Sequence, residues 1–113
     1  MILEDDEATA ELMKFYLEEE GFQVEVSSKG TCFVTKAVEY QPDLITLDVL
    51  LPDANGFSIL KKLQEDERTK NIPVIFVTVR EEEEKGIQMG ASGYIIKPFN
   101  ERKLKGTIKS ILR

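Results

Sequence analysis

Apolar positions along the chain alternate between short continuous runs and stretches of helical period. Met1-Ile2-Leu3 reads as a short strand, and from Glu7 to Glu20 the residues Leu12, Met13, Tyr16 and Leu17 recur at helical spacing until Gly21 supplies a stop. Phe22-Gln23-Val24-Glu25-Val26 alternates with period two, as a half-covered strand does. After Ser27-Ser28-Lys29-Gly30, the residues Phe33, Val34, Ala37 and Val38 mark a second helix, which Pro42 closes. The run Leu44-Ile45-Thr46-Leu47 then ends on Asp48 and breaks into Pro52-Asp53-Ala54-Asn55-Gly56, which places Asp48 at the tip of a buried strand. A third helix follows with Leu60 and Leu63 facing inward, and Pro73 to Thr78 form a fourth strand. The run Glu81 to Glu84 opens a helix, where carboxylates suit the positive end of the helix dipole, and Gly90 ends it. Gly93-Tyr94-Ile95-Ile96-Lys97 is the fifth strand, and Asn100 caps a last amphipathic helix carrying Leu104, Ile108, Ile111 and Leu112.

Strand and helix in strict alternation predict an α/β domain with a parallel sheet and right-handed crossovers. No repeat, linker or low-complexity segment divides the chain, so residues 1–113 are expected to form one domain. In such sheets, function gathers where strands give way to loops at their carboxyl edge.

Composition narrows the classes. With 113 residues, 42% hydrophobic and 32% charged, the chain fits an ordinary globular domain. A net charge of -6 with no Lys/Arg cluster argues against a phosphate-backbone binder, so no direct nucleic-acid binding is expected. Cys32 is the single cysteine and histidine is absent, which excludes an internal disulfide, a Cys/His zinc site and any His-based triad. Met1-Ile2-Leu3 runs at once into Glu4-Asp5-Asp6-Glu7, unlike a signal peptide, and no run reaches transmembrane length. A reducing cytoplasm, away from any membrane, is the expected setting.

Placed on this scaffold, Glu4 and Asp5 follow the first strand, Asp48 ends the third, Thr78 the fourth and Lys97 the fifth. All five belong at one edge. Converging carboxylates repel, and a divalent cation relieves them; oxygen ligands shared with phosphate and water suit Mg²⁺. A lysine and a hydroxyl opposite would hold the other oxygens of a phosphoryl group, so the constellation suits phosphoryl transfer to a carboxylate. Singly, each residue has a plainer reading: the acidic run as a helix first turn, Thr78 as a β-branched strand residue, Lys97 as a solvated strand end, Tyr94 as packing against the last helix. Their joint arrival at one edge is what favours chemistry.

Along its whole length the chain resembles the receiver domain of two-component response regulators. The resemblance rests on Glu4-Asp5 after the first strand, Pro42 to Pro52 around Asp48, Thr78 after the fourth strand, Lys97-Pro98-Phe99 after the fifth, and Gly90-Ala91 and Tyr94 at the family's spacing. It implies a flavodoxin-like (βα)5 doubly wound sheet in the order 2-1-3-4-5. It further implies that Asp48 accepts a phosphoryl group from a histidine of a kinase or phosphotransfer protein. Glu4, Asp5, Asp48 and the Leu50 backbone carbonyl would hold Mg²⁺, and Lys97, joined to Pro98 by a cis peptide, would hold a phosphoryl oxygen. Thr78 and Tyr94 would be the switch residues, and the fourth helix, fifth strand and fifth helix a phosphorylation-dependent partner or dimer face.

The chain departs from the commonest pattern in three respects. The first strand is one residue short before its acidic pair. The segment from Thr78 to Gly90 is about one helical turn shorter than in many transcription-factor receivers and resembles receivers of hybrid kinases. Leu50 and Arg80 occupy the two variable positions that tune phosphoryl lifetime. Two other classes stay open: a Mg²⁺-dependent phosphohydrolase with an aspartyl-phosphate intermediate, which commonly carries an acid where Leu50 stands, and a degenerate receiver serving only as an interaction module.

Overall fold

Each apolar run becomes a strand only as far as its neighbour offers a ladder. The computed structural model, which describes residues 1–112, begins with β1 (Ile2–Leu3), α1 (Glu7–Glu19) and β2 (Val26–Ser27). Then come α2 (Phe33–Tyr40), β3 (Ile45–Leu47), α3 (Gly56–Glu65), β4 (Val74–Thr78), α4 (Glu83–Gln88), β5 (Gly93–Ile96) and α5 (Glu101–Leu112). All pairings are parallel, in the order β2-β1-β3-β4-β5, and this is the doubly wound flavodoxin-like arrangement.

The strands are covered on both faces, and alternation within them separates two cores. Phe76 and Val74 of β4 point with Leu3, Ile45, Leu47, Phe33, Leu60 and Leu63 into the side closed by α2, α3 and α4. Ile75 and Val77 point with Ile2, Ile95, Met13, Leu17, Leu104 and Ile108 into the side closed by α1 and α5. Burying each such side chain is worth about 1.5–3 kcal/mol, so both layers are needed to hold the sheet.

Three expectations are corrected here. The second strand is not Phe22 to Val26 but Val26–Ser27, because its partner β1 spans only two residues; Phe22 and Val24 pack instead against the α1–α5 core. Leu12 is 42% exposed, and the inward face of α1 is Ala10, Met13 and Leu17. Of the run Glu81 to Glu84, only Glu83 and Glu84 lie in the first turn of α4, whose cap Glu82 makes no side-chain capping bond. The stops are as read: Gly21 and Gly90 take φ of +90° and +103°, and Asn100 Oδ1 accepts from the Lys103 amide at 2.8 Å.

Candidate functional site

Strand register delivers the polar residues. Leu3 pairs with Leu47, and the ladder continues one residue further, the Asp48 amide donating to the Leu3 carbonyl at 3.2 Å and the Glu4 amide to the Ser27 carbonyl at 3.0 Å. On the other side Thr78 pairs with Ile96, and the Lys97 amide donates to the Thr78 carbonyl at 2.8 Å. Glu4, Asp48 and Lys97 therefore leave three strands at one level.

Their side chains meet. Lys97 Nζ lies 2.5 Å from Glu4 Oε1 and 2.9 Å from Asp48 Oδ2. Glu4 is 3% and Asp48 6% exposed, while Asp5 stands open at the rim. The remaining oxygens are also occupied: Glu4 Oε2 accepts from the Asp6 amide and Asp48 Oδ1 from the Leu50 amide, each at 3.1 Å. Burial pushes the Glu4 carboxyl above its usual range even though the Lys97 hydrogen bond pulls it down. For Lys97, burial pulls down, but bonds to Glu4 and Asp48 outweigh it and the ammonium is held above its ordinary value. Glu4, Asp5 and Asp48 each present a carboxylate oxygen within 4.8 Å of the others, an all-oxygen donor set fitted to a hard divalent cation. Asp6 belongs elsewhere, capping α1 through the Thr9 amide at 3.0 Å and the Thr9 hydroxyl.

The loop after β3 holds Asp48 from behind. The Gly56 amide donates to the Val49 carbonyl at 2.8 Å, and a Cβ at Gly56 would collide with the Asp48 carbonyl and lie 2.9 Å from Val49 Cα. Asn55 Oδ1 caps α3 through the Phe57 amide at 2.8 Å. Asp53 reaches across to the β2–α2 loop, accepting from the Gly30 amide at 2.8 Å, the Thr31 amide at 2.9 Å and the Thr31 hydroxyl at 2.5 Å. Leu50 sits with its backbone beside Asp48 and its side chain outside.

Thr78 is fully buried, its hydroxyl accepting from the Arg80 amide at 3.3 Å. Tyr94 is held inward: its hydroxyl donates to the Arg80 carbonyl at 2.6 Å and accepts from the Glu82 amide at 3.3 Å. Its ring lies 5.7 Å from Phe76, which lies 5.0 Å from Phe57. The plain reading of Tyr94 as a packing residue on the last helix does not hold, since its ring belongs to the core layer of Phe57 and Phe76 and not to that of Leu104 and Ile108 of α5, and its hydroxyl is bonded to the β4–α4 loop. Lys97–Pro98 is a cis peptide.

The structure thus brings the side chains of Glu4, Asp5, Asp48 and Lys97 together, while Thr78 joins them through its carbonyl, which accepts from the Lys97 amide, and turns its hydroxyl to the Arg80 amide. Asp53 and Gly56, which brace the site, were not singled out; the signal for both lay in the Pro/Asp/Asn/Gly loop, but their partners are distant in sequence or are backbone.

A doubly wound parallel domain whose first, third and last strands converge on a carboxylate–lysine cluster is of the receiver class of signalling modules. The chain belongs to the response regulator receiver domain family, whose model matches residues 1–109. It is 37% identical over 116 residues to the phosphate regulon transcriptional regulatory protein PhoB of Escherichia coli, covering 100% of this chain and 51% of PhoB. The chain therefore spans about half the length of the curated relatives it matches. Among solved structures, a response regulator from Chloroflexus aurantiacus superposes with a TM-score of 0.91 at 29% identity, over 98% of this chain and 93% of that one. The receiver domain of a signal transduction histidine kinase from Syntrophus aciditrophicus does so at 0.81 and 31%, over 98% and 86%. The family is a signalling receiver, not an enzyme in the ordinary sense.

Proposed function

We propose that this receiver is a phosphorylation switch in which Asp48 takes a phosphoryl group from a phosphohistidine of a sensor kinase or phosphotransfer protein. The observation that carries this reading is the half-buried ammonium of Lys97 shared between the buried carboxylates of Glu4 and Asp48. An Asp48 oxygen attacks phosphorus, the phosphorus–nitrogen bond breaks, and its electron pair returns to the donor imidazole, which takes up a proton. Lys97, already within hydrogen-bond distance of Asp48, exchanges one carboxylate oxygen for a phosphoryl oxygen and offsets the added charge. The Leu50 amide keeps Asp48 oriented. The chain thus catalyses its own phosphorylation and dephosphorylation and turns over no other substrate.

Glu4, Asp5 and Asp48, with the Leu50 carbonyl, would hold Mg²⁺. When bound, the ion neutralises charge on the phosphoryl oxygens. Thr78 gives its hydroxyl to the phosphoryl group, releasing the Arg80 amide, and the Arg80 carbonyl that holds Tyr94 shifts with it. The readout face is built from α4, β5 and α5, where Ile87 of α4 at 46% and Ile96 of β5 at 37% exposure leave apolar surface for a partner or a second copy. PhoB is by name a transcriptional regulator, and an output region joined to this receiver is the corresponding proposal for the longer protein.

The test is labelling with acetyl phosphate. Wild type incorporates one acid-stable, base-labile phosphoryl group only with Mg²⁺, and Asp48→Asn incorporates none; labelling that persists in Asp48→Asn refutes the assignment. Continuous release of phosphate from a phosphate ester would instead support the phosphohydrolase class.

A further inference from the structure

Helix α4 carries a glycine in its middle, Gly86, where a helix has no use for one: an interior glycine is destabilising relative to alanine, and the backbone here needs no positive φ. Gly86 is the buried residue of α4. A Cβ built on it would lie 2.8 Å from Cδ2 and 3.0 Å from Cε2 of Tyr94, with Phe76 Cδ2 next at 3.2 Å. The first of these distances is closer than carbon atoms pack, and the tyrosine has little room to retreat. Its ring is backed by Phe76 and its hydroxyl is fastened to Arg80 and Glu82. Both fastenings are in the segment that leads from Thr78 into α4, so the ring is clamped between the start of that segment and the helix it becomes.

We infer that Gly86 is the positioning residue for Tyr94: α4 closes over β5 with the tyrosine inward only because position 86 carries no side chain. The inference rests on the reading of Tyr94 as the readout of Asp48, and it makes α4 and the tyrosine one unit. The helix cannot keep its place against β5 unless the ring fits its glycine notch, and a ring that swings out leaves a void that α4 must close. The aromatic row Phe57–Phe76–Tyr94, with Lys85 Nζ 4.3 Å above the Phe57 ring, extends the same unit to α3, whose first residue abuts Asp48. Burial also pushes the Tyr94 phenol above its ordinary value, as expected of a ring kept from water.

A double-mutant cycle on the whole chain tests this, with tetranitromethane nitration and peptide mapping as the second readout. Gly86→Ala should lower Tm in the Tyr94 background and raise it by about 3–5 °C in a Tyr94→Ala background, where the ring clash is gone, Phe76 can yield into the space left and helix propensity decides the sign. Tyr94 should be nitrated slowly in wild type and at the rate of exposed Tyr40 in Gly86→Ala, and in that variant acetyl phosphate with Mg²⁺ should no longer change its rate. An equal rise of Tm in both backgrounds, or Tyr94 still protected in Gly86→Ala, overturns the inference. So does a double variant that fails to fold, since the clash would then lie elsewhere. If wild type takes no label from acetyl phosphate, the phosphoacceptor reading fails, while the cycle and the nitration of unlabelled protein still judge Gly86.

Discussion

Lys97 is the residue on which the site balances. It neutralises two carboxylates that the sheet has already removed from water, and removing it strands both. Lys97→Met should destabilise the domain by about 2–3 kcal/mol at pH 7, the range for a buried charged group deprived of its partner. The pH dependence has a definite sign. Glu4 has a folded-state value raised by burial, so its ionisation disfavours the native state, and stability from this group is lost as pH rises through the folded value. Without the ammonium that value rises further. The deficit of Lys97→Met against wild type should therefore shrink between pH 7 and pH 5, as followed by urea unfolding; a deficit constant with pH contradicts the pairing. At this scale the sequence was informative for a physical reason. Glu4, Asp48, Thr78 and Lys97 each terminate an apolar run, and parallel strands end at a common edge. Gly56 was not legible, because what forbids a side chain there is the Asp48 carbonyl, and neither Gly86 nor Tyr94 announces that it faces the other.

At the scale of elements, the β3–α3 and β2–α2 loops are tied by one side chain. Asp53, exposed yet bonded to Gly30 and Thr31, is held at about 2 by the Thr31 hydroxyl and the two amides, well below the ordinary value of 3.8. A depressed carboxyl contributes stability above its unfolded value and loses it as pH falls through the folded one. Asp53→Asn should thus lower Tm at neutral pH and abolish the part of the acid transition lying between about pH 4 and pH 2, measured by circular dichroism; an unchanged acid limb would show that the latch holds nothing. The existence and order of elements could be read because each run was bounded by Gly, Pro or Asn. Extents could not be read in two places. β2 was overlong in the sequence reading because period-two alternation reports one-sided burial and not a partner, and β1 offers a ladder only two residues long. α4 starts late because a run of glutamates fits a helix start without fixing which residue begins it.

For the whole molecule, the acidic edge links ion binding to folding. The donor set Glu4, Asp5 and Asp48 exists only when β1 and β3 are paired, so Mg²⁺ held there as proposed would bind the folded chain alone and stabilise it by mass action. At tenfold excess over its dissociation constant the gain is about 1.4 kcal/mol, which should raise Tm by about 4–6 °C. The shift should be absent in Asp5→Asn/Asp48→Asn, and its absence in wild type would remove the metal site from the account. The class of fold was legible from alternation, whereas the strand order 2-1-3-4-5 came with the family resemblance, because periodicity says nothing of which strand lies beside which. The one-residue extension of the ladder past Leu3 and Leu47 has a practical consequence. A slip of one residue in that register would turn Glu4 and Asp48 to opposite faces, so no partly assembled sheet carries half a site. Phosphoryl incorporation should then report native molecules: in a denaturant series, the initial rate of labelling should fall in proportion to the native fraction, making the chemistry a gauge of the fold.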